Sequence, residues 1–74
     1  MRIIVESTTK TVTLDGVPAR IWEGHTDSGI ALHCYITRIA VHEDDDRAQF
    51  EAELEQHQPP RNADIDAISN RLIL

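Results

Sequence analysis

The sequence predicts an α+β domain: an antiparallel meander of about four strands, one helix packed on it, and an ordered C-terminal tail. Three observations predict this class: an Asp-Gly hairpin signal, a long apolar strand after it, and an acidic helical segment that follows directly. With 74 residues, the chain is expected to form a single small domain over residues 1–74.

The hairpin signal lies between two short apolar runs. Asp15 and Gly16 separate Leu14 from Val17, and Asp-Gly favours a type I′ turn because both central residues need a positive φ. Pro18 then falls in a non-hydrogen-bonded pair, so its missing N–H is directed away from the strand that contains Leu14. The alternation predicts strands near residues 2–6, 11–14 and 17–23, with a polar turn at 7–10.

A loop at residues 24–29 leads into the long strand, residues 29–42. Its apolar positions change parity after Ile36, which predicts a bulge or bend at Thr37 and Arg38.

The helix is predicted over residues 43–57, where aspartates can cap its start and Pro59 ends it. Phe50 and Leu54 form a narrow apolar stripe one turn apart. In the tail, Ile65, Ile68 and Leu72 fit a helix with Asn62 or Asp64 as its cap, while residues 71–74 fit a short strand equally well.

The net charge of −6 is concentrated in the predicted helix, which holds seven acidic residues and one arginine. The chain lacks the basic face that nucleic-acid binding requires, so direct binding to nucleic acid is not expected. No apolar run reaches the length of a membrane span. The lone cysteine, Cys34, suits a reducing compartment, and we expect a cytoplasmic protein.

The sequence predicts neither an enzyme nor a cofactor. Four histidines occur without the spacing of a zinc site, and only three glycines are present, so no glycine-rich phosphate loop is expected. Cys34 is interpreted as a small core residue, because a reactive thiol needs exposure and a positive setting.

Two surfaces are candidates for partner binding. Pairing across the loop places Trp22 opposite Ala31 and predicts that Trp22, Tyr35 and His33 share one side of the sheet, with Arg20 beside Trp22. This side either forms a binding patch or is covered by the helix or tail. The acidic helix either docks onto a basic surface or only keeps the protein in solution. The candidate partner-binding residues are Asp44, Asp45, Glu51, Glu55, Arg20, Trp22 and Tyr35.

Four segments of the chain carry a resemblance to a known group of proteins. They are GVPARIWEG (16–24), SGI (28–30), ITRIA (36–40) and QFEAEL (49–54). These segments resemble small uncharacterised proteins encoded by phages and prophages of Gram-negative bacteria. The resemblance covers residues 16–74 and lacks a diagnostic motif. It implies an accessory protein made inside a bacterial host, a group in which inhibitors of host machinery such as anti-CRISPR proteins are found.

The leading functional hypothesis is therefore a non-enzymatic protein that binds and inhibits a host protein or complex. The alternative is a structural or assembly component that acts as a homo-oligomer. A small core and an apolar C-terminus also predict a homodimer, with the tail or a sheet face at the interface.

Overall fold

The computed structural model of the chain describes residues 1–44 and 46–66. These residues form an antiparallel sheet in the order β1-β2-β3, followed by two helices, which confirms the α+β class. The prediction of four strands is wrong, since the described residues contain three. The elements are β1 (Ile3–Leu14), β2 (Val17–Thr26), β3 (Ala31–Ile36), α1 (Arg47–Leu54) and α2 (Ala63–Asp66).

The turn between β1 and β2 is the predicted hairpin. Asp15 has φ 49° and Gly16 has φ 82°, as a type I′ turn requires. Leu14 pairs with Val17, and the next pair contains Pro18, so the predicted register of this hairpin is confirmed.

The predicted strands 2–6 and 11–14 are one strand, because the polar segment between them does not turn. Ser7 and Thr8 are buried, and the strand passes through an irregularity between Ser7 and Thr11 where three residues of β1 lie opposite Ile21 of β2. We call this irregularity the Thr8 bulge. The Thr8 hydroxyl donates to the Ile21 carbonyl at 2.7 Å, and this bond provides a partner for that carbonyl at the interrupted part of the ladder.

The long strand ends early. β3 stops at Ile36, where the chain bends at Thr37 as predicted, and residues 38–42 have no regular structure. The last pair joins Ile36 to Arg20. Pro18 would supply the next hydrogen-bonded position of β2, and without an N–H it cannot extend the ladder towards β3.

The predicted register between β2 and β3 is wrong by three residues. Trp22 lies opposite Cys34 and not Ala31, because β2 continues through residues 24–26, which were predicted to be loop. A shift by an odd number of residues exchanges the two faces of a strand. The side chains of β3 therefore lie on the opposite faces from those expected relative to β2.

One side of the sheet, which we call the core face, carries the hydrophobic core. Val12, Ala19 and Ile21 are buried there together with Ile65 of α2, and Leu14 and Tyr35 pack against them. The other side, which we call the Trp22 face, is half-buried. Its central residues are Arg20, Trp22, Leu32, Cys34 and Ile36.

Helix α1 is shorter than the predicted segment 43–57. Asp46 caps it, with its carboxylate accepting from the Gln49 N–H at 3.0 Å, which confirms an aspartate cap. The helix ends at Leu54, before Pro59, because the chain after it runs alongside β1. There the Thr9 N–H donates to the Gln58 carbonyl at 2.8 Å.

The described part of the tail is helical at α2. The Asn62 side chain accepts from the Asp64 N–H, and the predicted position Ile65 is buried with 1% exposure. The Glu23 carboxylate accepts from the backbone N–H groups of Arg61 and Asn62, which fixes the start of this segment to the core face. The predictions for Ile68, Leu72 and the short strand 71–74 fall outside the described residues.

Candidate protein-binding surface

Trp22 is the only tryptophan of the chain and lies half-buried in the middle of β2. The alternation of β2 places it on the face away from the buried core, so its indole is not needed to complete that core. It lines two neighbouring grooves on the Trp22 face. A large apolar ring with an N–H, placed between two grooves, is suited to contact a partner.

The first groove, which we call the Trp22 groove, has a volume of about 240 Å³. Ile39 and Leu54 contribute exposed apolar side chains, at 42% and 43% exposure. Two arginines give the groove a positive margin. Its lining residues are Arg20, Trp22, Ile36, Thr37, Arg38, Ile39 and Leu54.

The two arginines of the groove differ in how they are held. The Arg20 guanidinium donates through Nη1 to the Thr8 carbonyl at 2.7 Å, so the Thr8 bulge fixes this half-buried side chain. Arg38 is exposed and forms no ion pair with the described residues. Arg38 is therefore the guanidinium that is available to an acidic group of a ligand.

The second groove lies on the other side of Trp22 and is more polar, with a volume of about 550 Å³. Ser7 is buried there, and its hydroxyl donates to the Gln56 carbonyl at 2.8 Å, which holds the segment after α1 against β1. Its lining residues are Glu6, Ser7, Trp22, Glu53, Gln56, His57 and Gln58.

The acidic helix lies beside both grooves. α1 contains no buried residue, and Glu51 and Glu55 are exposed without an ion pair among the described residues. Glu51 and Leu54 are three residues apart and therefore neighbours on the helix surface, so a carboxylate adjoins the apolar lining of the Trp22 groove. Asp44 is exposed in the turn before the helix, and Asp45 lies outside the described residues.

Tyr35 does not belong to this surface, which corrects the predicted aromatic patch. It lies opposite Ile21 on the core face, packed against the buried cluster. Its hydroxyl lies 3.0 Å from Nε2 of His33, and the two rings meet edge to face with centroids 5.2 Å apart. The patch was predicted from the wrong register, which placed Trp22 and Tyr35 on the same side.

Cys34 lies opposite Trp22, outside the buried cluster, and is half-buried, so the interpretation as a small core residue is wrong. Its neighbour His33 is directed to the other face, where it contacts Tyr35. In the described part of the chain, no group of three or more histidine, cysteine, aspartate or glutamate side chains is placed to hold a metal ion. No helix within that part is long and apolar enough to cross a membrane.

Sequence reasoning identified Arg20 and Trp22 and missed Arg38, Ile39 and Leu54 as groove residues. Arg38 and Ile39 were assigned to a strand that ends before them, and Leu54 was assigned to packing alone. The available signal was Pro18, whose missing N–H marks where the ladder towards β3 has to stop.

Comparisons of the chain with protein-family models, curated proteins and solved structures found no match. The resemblance to phage-encoded proteins stays a prediction.

Proposed function

We propose that this chain is a non-enzymatic protein-binding module that docks the Trp22 groove and the adjoining carboxylates of α1 onto a basic partner. The observation that carries the proposal is the position of Trp22, half-buried between two grooves and outside the hydrophobic core. Tryptophan and arginine are enriched among the residues that dominate binding energy at protein interfaces.

The groove and the helix supply different parts of this binding. An apolar side chain of the partner would enter between Trp22 and Leu54, and its burial would provide affinity. The carboxylates of Glu51 and Glu55 would attract basic residues around that anchor and increase the rate of association. Arg38, on the groove itself, would meet an acidic group of the same partner.

The more specific form of the proposal follows the phage resemblance. A small acidic module that covers a basic surface of a host protein would inhibit that protein by occlusion, without chemistry of its own. The outer edge of β3, which pairs with no other described strand, favours a second candidate function, that of an assembly component working as a homo-oligomer.

Affinity capture from bacterial lysate with matched variants tests the binding surface. Ile39→Ser changes an exposed groove residue outside any regular element, and Glu51→Gln/Glu55→Gln removes two charges from the helix. Both should reduce the captured partner, measured by quantitative mass spectrometry. The control, Asp15→Asn/Asp64→Asn, removes two exposed charges elsewhere and should capture as the wild type does.

The purified partner then allows a sharper measurement. Titration calorimetry at low and high salt should give a steep salt dependence for the wild type and a flatter one for Glu51→Gln/Glu55→Gln, because fewer charge pairs are screened. A partner that binds all these variants with equal affinity at both salt concentrations would overturn the proposal.

A further inference from the structure

The outer edge of β3 carries backbone groups with no partner among the described residues. β3 is the last strand in the sheet order, and its other side pairs with β2. The Thr26 N–H donates to the Ile30 carbonyl, so Thr26 and Ile30 form a hydrogen-bonded pair. Because such pairs alternate along an antiparallel ladder, the backbone groups of Ala31, His33 and Tyr35 are directed outward.

Within the described part of the chain, this edge has none of the usual features that prevent strand pairing. Natural edges are protected by charged side chains, prolines, bulges or a covering segment. The sequence of β3, ALHCYI, contains no proline, lysine, arginine or carboxylate, and its pairing with β2 is regular. The opposite edge of the sheet is different, because the Thr8 bulge interrupts β1 and residues 56–58 run along it.

We propose that β3 pairs antiparallel with β3 of a second copy of this chain, giving a continuous six-stranded sheet across a twofold axis. The pairing places Cys34 opposite the same residue of the second copy, Leu32 opposite Ile36, and His33 opposite Tyr35. The outward groups of His33 and Tyr35 then form the hydrogen-bonded pairs, and Cys34 lies at a non-hydrogen-bonded position.

The second copy is favoured as the occupant because the edge is complementary to itself. In this register apolar Leu32 meets apolar Ile36, and the polar pair of His33 and Tyr35 meets its own equivalent. Charge does not oppose this pairing. Arg38 follows β3, and Asp27 in the loop before β3 forms an ion pair with Arg2 at 3.5 Å, so an antiparallel pair brings the arginine end of each copy towards an end whose charges are balanced.

The first test is the mass of the protein in solution under reducing conditions. Sedimentation equilibrium at high micromolar concentration should give twice the chain mass of 8.4 kDa. His33→Pro removes an outward N–H without removing a bond to β2, and should reduce the mass to that of one chain. The matched control His33→Ala keeps the N–H and should remain a dimer, while circular dichroism checks that each variant is folded.

The second test reports the register through a disulfide. Oxidised glutathione accepts the two electrons of a pair of Cys34 thiols, whose protons go to the glutathione thiolates released. Residues opposed at a non-hydrogen-bonded position have Cα atoms about 4.5 Å apart, within disulfide reach. Wild-type protein should therefore form a covalent dimer. The control Leu32→Cys/Cys34→Ser, whose thiols lie four residues out of register, should not.

Three outcomes would overturn the proposal. A wild-type monomer at high micromolar concentration would show that a second copy does not occupy this edge. A dimer that survives His33→Pro in a folded protein would place the interface elsewhere. Equal cross-linking of the wild type and the Leu32→Cys/Cys34→Ser control would indicate random collision between thiols and remove the assigned register.

Discussion

The two faces of the sheet are built from the same three strands, but their side chains are buried to very different degrees. On the core face, Val12, Ala19 and Ile21 are at most 3% exposed, and Ile65 of α2 covers them. On the Trp22 face, the helix that lies alongside contributes no buried residue. The described residues therefore cover one face of the sheet and leave the other available for contacts with other molecules.

Truncating one large aliphatic side chain on each face tests this difference in burial most directly. Ile21→Ala removes fully buried carbon atoms and should lower the free energy of unfolding by about 4 kcal/mol. Leu54→Ala removes the same number of atoms from a residue that is 43% exposed and should cost about 0.5 kcal/mol or less. Urea denaturation measures both. Equal losses would mean that α1 stabilises the fold as much as the core does.

Gly24 is an exception to the loose packing of the Trp22 face. A Cβ at this position would collide with the carbonyl of Ile4 in β1 and lie 2.8 Å from the Ile4 carbonyl carbon, so the backbone would have to move. Gly24→Ala should therefore cost about 3 kcal/mol, as overpacking does. The adjacent exposed residue provides the control, since His25→Ala should stay within about 0.5 kcal/mol of the wild type in the same denaturation experiment.

At the Thr8 bulge, Thr8 bonds to residues of both faces, because its carbonyl accepts from Arg20 and its hydroxyl donates to the Ile21 carbonyl. The Thr8 hydroxyl can be removed without changing the shape of the side chain. Thr8→Val leaves the Ile21 carbonyl and the Lys10 N–H without their bonds to this hydroxyl, and should cost about 2 kcal/mol. Thr9→Val alters the next, exposed threonine and should have little effect. If thermal denaturation showed the same loss for both variants, the buried hydroxyl would not be what stabilises the bulge.

Local signals predicted the hairpin turn, the aspartate cap and the bend after Ile36, because each depends on a few adjacent residues. The Thr8 bulge was missed because Ser7 and Thr8 resemble a polar turn in sequence, while their burial depends on bonds to Gln56 and Ile21.

The candidate site was predicted less well than the fold, because a surface depends on register. Gly24 was interpreted as the start of a loop, but it lies within β2 at a point of close contact with β1. That single misassignment moved Tyr35 to the wrong face relative to Trp22. Glycine indicates a close backbone approach as readily as a turn, and sequence patterns do not distinguish the two.

Replacing carboxylates is expected to change the stability least, and the change should differ between the two faces. Glu23→Gln on the core face weakens an acceptor for the backbone N–H groups of Arg61 and Asn62, and should cost about 1 kcal/mol. Glu51→Gln/Glu55→Gln removes groups that bond to nothing described, so stability should stay within about 0.5 kcal/mol of the wild type.

Salt distinguishes the reasons for these two results. The carboxylates of α1 repel one another, so Glu51→Gln/Glu55→Gln should slightly stabilise the protein at low salt, and the gain should disappear as salt screens the repulsion. The loss in Glu23→Gln should persist at high salt, because it comes from hydrogen bonds at short range. A marked destabilisation by Glu51→Gln/Glu55→Gln would show that these carboxylates support the fold. They could then no longer be assigned to binding alone.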